Sequence, residues 1–197
     1  METFIKTYFS RLADVLSALD TTTVARIIQV FEQAHTKQAT IYFAGNGGSA
    51  STASHFANDL GVGLKLRSIR SFHVQSLADN PAVTTSIAND VGYDNIFYVQ
   101  LLDILRPDDV LVAISASGNS PNIIKAAEYT KNIGATLIGC TGFDGGKLKD
   151  LADISFHIQS EKGEYGLVED VHMILDHAIY SYYLSLKEGS STRYTVR

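Results

Sequence analysis

The chain has a single cysteine, 3 prolines and no tryptophan in 197 residues. One cysteine excludes an intramolecular disulfide, and Cys140 sits in the apolar run ATLIGCTG, where a buried, unreactive thiol is expected. That usage fits a reducing cytoplasm. No repeat or low-complexity linker interrupts the chain, so with 45% hydrophobic residues it is expected to build one domain, residues 1–197, around one substantial core. The opening stretch METFIKTYFSRLADVLSALD carries charges at intervals and no uninterrupted apolar segment, which argues against a signal peptide and against a membrane span. Basic residues are also scarce: 16 Lys and Arg against 21 Asp and Glu leave a net charge of −5, and the cations are scattered. A nucleic-acid backbone as main partner is thereby disfavoured, because such binding needs clustered cations to displace counterions. A small anion held by backbone amides is not.

What the chain does have is periodicity. Phe4, Ile5, Tyr8, Phe9, Leu12, Val15, Leu16 and Leu19 follow the spacing of one helical face, and Val24, Ile27, Ile28, Phe31 and Ala34 repeat it after the capping cluster Asp20 to Thr23. Two amphipathic helices therefore fill residues 1–36. The first has a wide aromatic stripe, part of which is expected to pack against another subunit. From residue 39 short apolar runs alternate with helical segments: ATIYFAG, then a helix from about Ser49 to Leu60; SFHVQSL, then helices up to Leu105; VLVAISAS, then Pro121 to Asn132; ATLIGCTG, then Lys147 to Leu151; ISFHIQS, then Leu167 to Leu186. Runs nearly continuous in Val, Ile, Leu and Ala belong to a parallel sheet covered on both faces. The expected fold is a three-layer α/β/α sandwich with five parallel strands behind two leading helices, with Gly134 as a left-handed helix end. Residues 187–197 read as a polar, frayed tail.

Ligands in such sheets lie beyond the carboxyl ends of the strands. Two turns there share a chemistry. Gly45-Asn46-Gly47-Gly48-Ser49 follows the first strand, and Ser115-Ala116-Ser117-Gly118-Asn119-Ser120 follows VLVAI. Each offers small residues that admit an anion to backbone N–H groups, hydroxyls that donate to it, and a helix N-terminus that favours negative charge. Neither GxGxxG nor GxxxxGK[ST] is present, so dinucleotide and triphosphate binding are rejected. A tight turn capped by serine is the plain alternative for either loop alone; the pair points to a phosphate.

Further on, His55 and Asp59 stand four apart on one helical face. The last helix carries a second ionisable set, Glu169, Asp170, His172, Asp176 and His177. Glu169 and His172 share a stripe with Asp176, while His177 lies two turns on from Glu169, about 12 Å along the axis. Metal binding or acid/base duty competes here with ordinary surface ion pairing.

Taken together, GNGGSASTASHFANDL, SIANDVGYDNIF, DVLVAISASGNSPNIIKA, TGFDGGKL and EDVHMILDH resemble the sugar isomerase (SIS) domain proteins, and within them the phosphoheptose isomerases. The resemblance covers nearly the whole chain. It implies a ketose–aldose isomerase that converts sedoheptulose 7-phosphate to a heptose 7-phosphate through an enediol, in the cytoplasm, as a homotetramer with active sites at subunit interfaces. By the same resemblance, Asn46, Gly47, Gly48 and Ser49 form a substrate loop, Ser115, Ala116, Ser117 and Ser120 a phosphate site, and Asn89 and Asp90 a sugar contact. His55, Asp59, Glu169 and His177 match the positions that bind one Zn²⁺ per subunit. Asp59 and His177 fall where base and acid are expected, and Glu169 is a second carboxylate for the base and a further substrate contact. The family usually has glutamate at Asp59 and glutamine at Glu169, and Gly63 and Gly166 replace an arginine and an aspartate. Other readings are a non-catalytic SIS protein that senses a phosphosugar or binds a protein partner, and an isomerase of another phosphoketose; ionisable residues at all four metal positions favour an enzyme.

Overall fold

Asp20 separates the first two helices for a local reason. Its carboxylate accepts the Thr22 N–H at 2.9 Å and the Thr22 and Thr23 hydroxyls at 2.6 and 2.7 Å, which holds its carboxyl down at about 2. In the computed structural model, which describes residues 1–188, α1 (Glu2–Ser17) and α2 (Thr21–Lys37) flank this cap. After them come β1 (Thr40–Gly45), α3 (Gly48–Asn58), a π-helical stretch Asp59–Gly63 running into α4 (Leu64–Leu66), β2 (His73–Ser76), α5 (Pro81–Val91) and α6 (Tyr98–Leu101). The chain closes with β3 (Val110–Ser115), α7 (Pro121–Ile133), β4 (Thr136–Thr141), α8 (Gly146–Leu151), β5 (Ile154–His157) and α9 (Tyr165–Glu188).

The five strands are parallel in the order β2-β1-β3-β4-β5. Alternation along each strand feeds two cores. Ile41 and Phe43 of β1 face Phe31, Phe56, Leu60, Val171, Leu175 and Ile179, contributed by α2, α9 and the segment that α3 opens. Tyr42 and Ala44 face Leu77, Phe97, Leu101, Ile123 and Leu137 on the other side. Cys140 is buried in β4, and burial pushes its thiol up to about 12. Gly134 ends α7 with φ 82°, as expected. Among the described residues no helix is long and apolar enough to cross a membrane.

Three boundaries differ from the sequence reading. The helix expected to stop near Leu60 continues through the π-helical stretch, whose Asp59 carbonyl accepts the Leu64 N–H five residues on. Glycines permit it: a Cβ at Gly61 would lie 2.5 Å from Val74 of β2, and one at Gly63 would lie 2.8 Å from the Tyr180 hydroxyl of α9. The last helix is longer at both ends, so Lys187 and Glu188 belong to it, and the rest of the polar tail, 189–197, lies outside the described residues. On α1, Val15 alone is fully buried, while Phe4, Ile5 and Phe9 remain 74%, 44% and 62% exposed.

Candidate active site

From β1 the chain crosses one way to β2 and later the other way to β3, so the loops leaving β1 and β3 diverge and open a crevice between them. Both glycine- and serine-rich turns fall in this crevice. Gly47, with φ 55° and ψ −122°, turns the chain into α3, a conformation that side chains rarely adopt. Gly118, with φ 62°, lies so close to the next loop that a Cβ would sit 1.9 Å from the Gly145 carbonyl oxygen. Between the turns lies a cavity of about 150 Å³ lined by Asn46, Ser49, Ile114, Ser115, Ala116, Ser117, Ser120, Tyr165 and Glu169. The Ser115 and Ser120 hydroxyls are 3.2 Å apart across it. α3 and α7 both start at its edge, and their first-turn amides have no partner within the helix. Hydroxyls and free N–H groups converging on a small cavity suit an anion with several oxygens.

Residues that the sequence reading passed over brace this cavity. Asn122, 1% exposed in the first turn of α7, exchanges two 2.9 Å hydrogen bonds with the Asn46 amide and accepts the Ile123 N–H, so one buried side chain ties the two turns together. The Tyr93 hydroxyl donates to Asn46 Oδ1 at 2.8 Å. The only available signal for Asn122 was its place after Pro121 at a helix start. Asn89 and Asp90, by contrast, are exposed on α5, bonded to each other at 2.8 Å and outside the cavity lining.

The second group of side chains lies where α3 meets α9. His55, Asp59, Asp176 and His177 each offer a donor atom within 4.8 Å of the others. His55 Nε2 lies 3.5 Å from Asp59 Oδ2, 3.8 Å from Asp176 Oδ2 and 3.3 Å from His177 Nε2. The Asn58 amide holds Asp59 Oδ1 at 3.0 Å. Asp176 is 0% exposed, and neither carboxylate oxygen has a hydrogen-bond partner among the described residues. Burial, together with the nearby Asp59 charge, pushes its carboxyl up to about 8. His172, one turn before, is fully buried outside the group, and burial pushes its imidazole down to about 4.

Three of the four residues expected at a metal, His55, Asp59 and His177, are thus together, and Glu169 is not with them. It lies two turns before His177 on α9, roughly 12 Å along the axis. Its carboxylate rests instead on the first turn of α3: a Cβ at Gly48 would lie 2.2 Å from Glu169 Oε2. Burial, and then Asp170 beside it, raise its carboxyl above the ordinary value. Asp176 holds the fourth place. Adjacent residues on a helix point about 100° apart, which separated Asp176 from His177 in any reading by stripes; the contact of α9 with α3 brings both to His55.

The donor set passes a test of fit to a divalent ion. Ligand bonds of about 2.0–2.1 Å in a tetrahedron imply edges of roughly 3.3–3.4 Å, and two of the observed separations are 3.3 and 3.5 Å. Two carboxylates and two neutral imidazoles balance a charge of two, and a buried carboxylate with no hydrogen-bond partner among the described residues is a donor suited to a cation.

A parallel five-stranded sheet with serine-rich turns at its switch point defines the class, that of the SIS domain proteins, whose family model matches residues 7–142. The chain belongs to the phosphoheptose isomerases of that family and is an isomerase. Over 142 residues it is 37% identical to the phosphoheptose isomerase of Helicobacter pylori strain P12, covering 72% of each chain. The enzyme of the same name from Aliarcobacter butzleri is 33% identical over 168 residues, 80% of this chain and 87% of that one. Among solved structures, phosphoheptose isomerase from Neisseria gonorrhoeae superposes with a TM-score of 0.82 at 26% identity, over 93% of this chain and 98% of that chain.

Proposed function

We propose that the protein interconverts sedoheptulose 7-phosphate and D-glycero-D-manno-heptose 7-phosphate, with the phosphate in the cavity between the β1 and β3 turns and the reacting carbons at the His55–Asp59–Asp176–His177 group. The observation that carries this reading is the placement of the two groups along α9, with Glu169 at the cavity and His177 about 12 Å further along the axis. An extended seven-carbon sugar phosphate is roughly 10 Å long, at about 1.2 Å per bond of an extended chain. The names of the relatives agree with it.

Asn46, Ser49, Ser115, Ser117 and Ser120, with the loop amides of Gly47, Gly48 and Ala116, hold the phosphate, and that distant grip fixes the reacting carbons against the carboxylate. His55, Asp59, Asp176 and His177 would hold a zinc ion, one per subunit. When bound, Zn²⁺ supplies Lewis-acid polarisation at the carbonyl oxygen. Asp59 moves the proton between C1 and C2, its carboxylate oriented by the Asn58 amide. His177, exposed at the edge of the group, exchanges protons with the sugar oxygens. Glu169 lies at the phosphate end, away from those carbons. Asn89 and Asp90, exposed on α5, meet the sugar within an assembly. The uncovered Phe4, Ile5 and Phe9 of α1 support that assembly, a cytoplasmic homotetramer with its sites at subunit interfaces.

The test is a metal-quantified activity screen over phosphorylated ketoses of five to eight carbons. Preferred turnover of the seven-carbon ketose with about one zinc per chain is expected; metal-loaded protein inactive on every ketose would overturn it. Asp59→Asn should abolish turnover and spare phosphosugar binding, whereas retained turnover would move the base elsewhere.

A further inference from the structure

The direction in which the Asn46 amide faces is fixed from the backbone outward. At the buried start of α7 the Ile123 N–H needs an acceptor and takes Asn122 Oδ1 at 2.9 Å, which assigns the oxygen of that side chain. Asn122 Oδ1 therefore faces Asn46 Nδ2, and Asn122 Nδ2 faces Asn46 Oδ1, each at 2.9 Å. The Tyr93 hydroxyl, able to donate or accept, meets that same Asn46 oxygen at 2.8 Å and so donates to it. Two donors thus occupy both lone pairs of Asn46 Oδ1, while Nδ2 has given one of its two hydrogens. What Asn46 has left for the cavity it lines is an N–H.

Tyr93 itself is outside the cavity lining. It opens the short 3-10 helix Tyr93–Asn95, which the buried Ile96 and Phe97 root in the core behind β1, and it is 54% exposed. A hydroxyl on so exposed a ring adds little to the fold, so its bond to a cavity residue points toward the ligand. An amide N–H attracts a phosphate oxygen, and an amide carbonyl repels one. We propose that Tyr93 is a positioning residue for the anion: its hydroxyl fills the second lone pair of Asn46 Oδ1, which makes Asn46 a donor-only group and holds its remaining N–H toward the phosphate of a phosphorylated sugar. This rests on the phosphosugar reading of the cavity given above. Asn122 alone would leave one lone pair of that oxygen open to an approaching anion. Because Tyr93 acts at the phosphate end, its contribution appears in affinity and KM before it appears in kcat.

The experiment is calorimetric titration of the zinc-loaded full chain with inorganic phosphate and, separately, with sedoheptulose 7-phosphate, alongside Tm and ketose turnover. Wild type, Tyr93→Phe, Asn46→Ala and the double variant are compared. Tyr93→Phe keeps the ring and removes the one donor. It is expected to weaken both ligands and to raise KM on the order of fivefold, the worth of one hydrogen bond, with Tm and kcat close to wild type. In the Asn46→Ala background the same change should weaken binding and kcat/KM no further, because the residue through which Tyr93 acts is gone. A merely structural role would lower Tm and persist in that background. Unchanged affinity in Tyr93→Phe, or an equal loss with and without Asn46, would overturn the proposal. Wild-type protein that binds neither ligand would remove the phosphosugar reading and this proposal with it. The expected binding pattern without turnover of any ketose would reject the isomerisation and leave the role of Tyr93 standing.

Discussion

The Nε2 atoms of His55 and His177 lie 3.3 Å apart across 122 residues of sequence, with the rings edge-on at 75°. Two neutral imidazoles that present lone pairs to each other at this distance repel unless a proton or a cation lies between them. Asp176 beside them is buried with no hydrogen-bond donor among the described residues, so its carboxyl is stabilised in the charged form only by a cation. Removing divalent metal with a chelator should therefore lower Tm. An ion at about a thousand times its Kd contributes about 4 kcal/mol, which at about 2–4 °C per kcal/mol amounts to roughly 10 °C. Asp176→Asn should raise the Tm of the metal-free protein and erase the response to zinc; scanning calorimetry with and without chelator reads both.

The same carboxylate sets a pH dependence. Asp176 titrates at about 8 in the metal-free fold against 3.8 for an ordinary aspartate. The folded state then holds a proton that the unfolded chain has released, so this contribution to stability is full below about pH 4 and is lost as pH rises toward 8. Urea unfolding of metal-free protein across that window should give a falling midpoint, and Asp176→Asn should flatten it. Zinc must displace the proton, so calorimetry in buffers of different ionisation enthalpy should report release of about one proton near pH 7.

Asn122→Ala is expected to loosen both turns of the crevice at once. It deletes the paired amide bonds with Asn46 and the acceptor for the Ile123 N–H inside a buried site. A loss of about 2 kcal/mol in unfolding free energy should accompany a several-fold rise in KM for the sugar phosphate. Asn122→Asp, which cannot donate to Asn46, should behave alike.

Gly48→Ala places a methyl group against the Glu169 carboxylate. The single variant should lose about 1 kcal/mol of stability, and the same substitution in a Glu169→Ala background should lose little, a coupling that a double-mutant cycle measures directly. An equal loss in both backgrounds would mean that the two residues do not press on each other.

The layers of the fold were legible because each strand is a short apolar run closed by a turn signal, and each covering helix carries its own stripe. The order of the strands is a long-range pairing that no local pattern encodes. Gly61 and Gly63 illustrate the limit: as residues they predict a helix end, and their actual use is to bring the backbone against Val74 and Tyr180. At the site, His55 and Asp59 were readable one turn apart on one helix. Asp176 was readable only as one of the ionisable set on the last helix; that it joins His55 depends on its burial where α9 meets α3, a property of packing. Glu169 was assigned to the metal by resemblance; eight residues before His177 on α9, it lies apart from the His55–Asp59–Asp176–His177 group within one chain.

That spacing has a mechanical consequence. Tyr165, Glu169, Asp176 and His177 ride on one uninterrupted α-helix, so the two ends of the pocket cannot adjust independently. A slide or roll of α9 that widened the crevice between the β1 and β3 turns would also draw His177 and Asp176 away from His55. On the proposed reading, grip at one end and alignment at the other would be a single coordinate of motion, and a ligand seated by its phosphate should tighten the other end through the helix backbone itself.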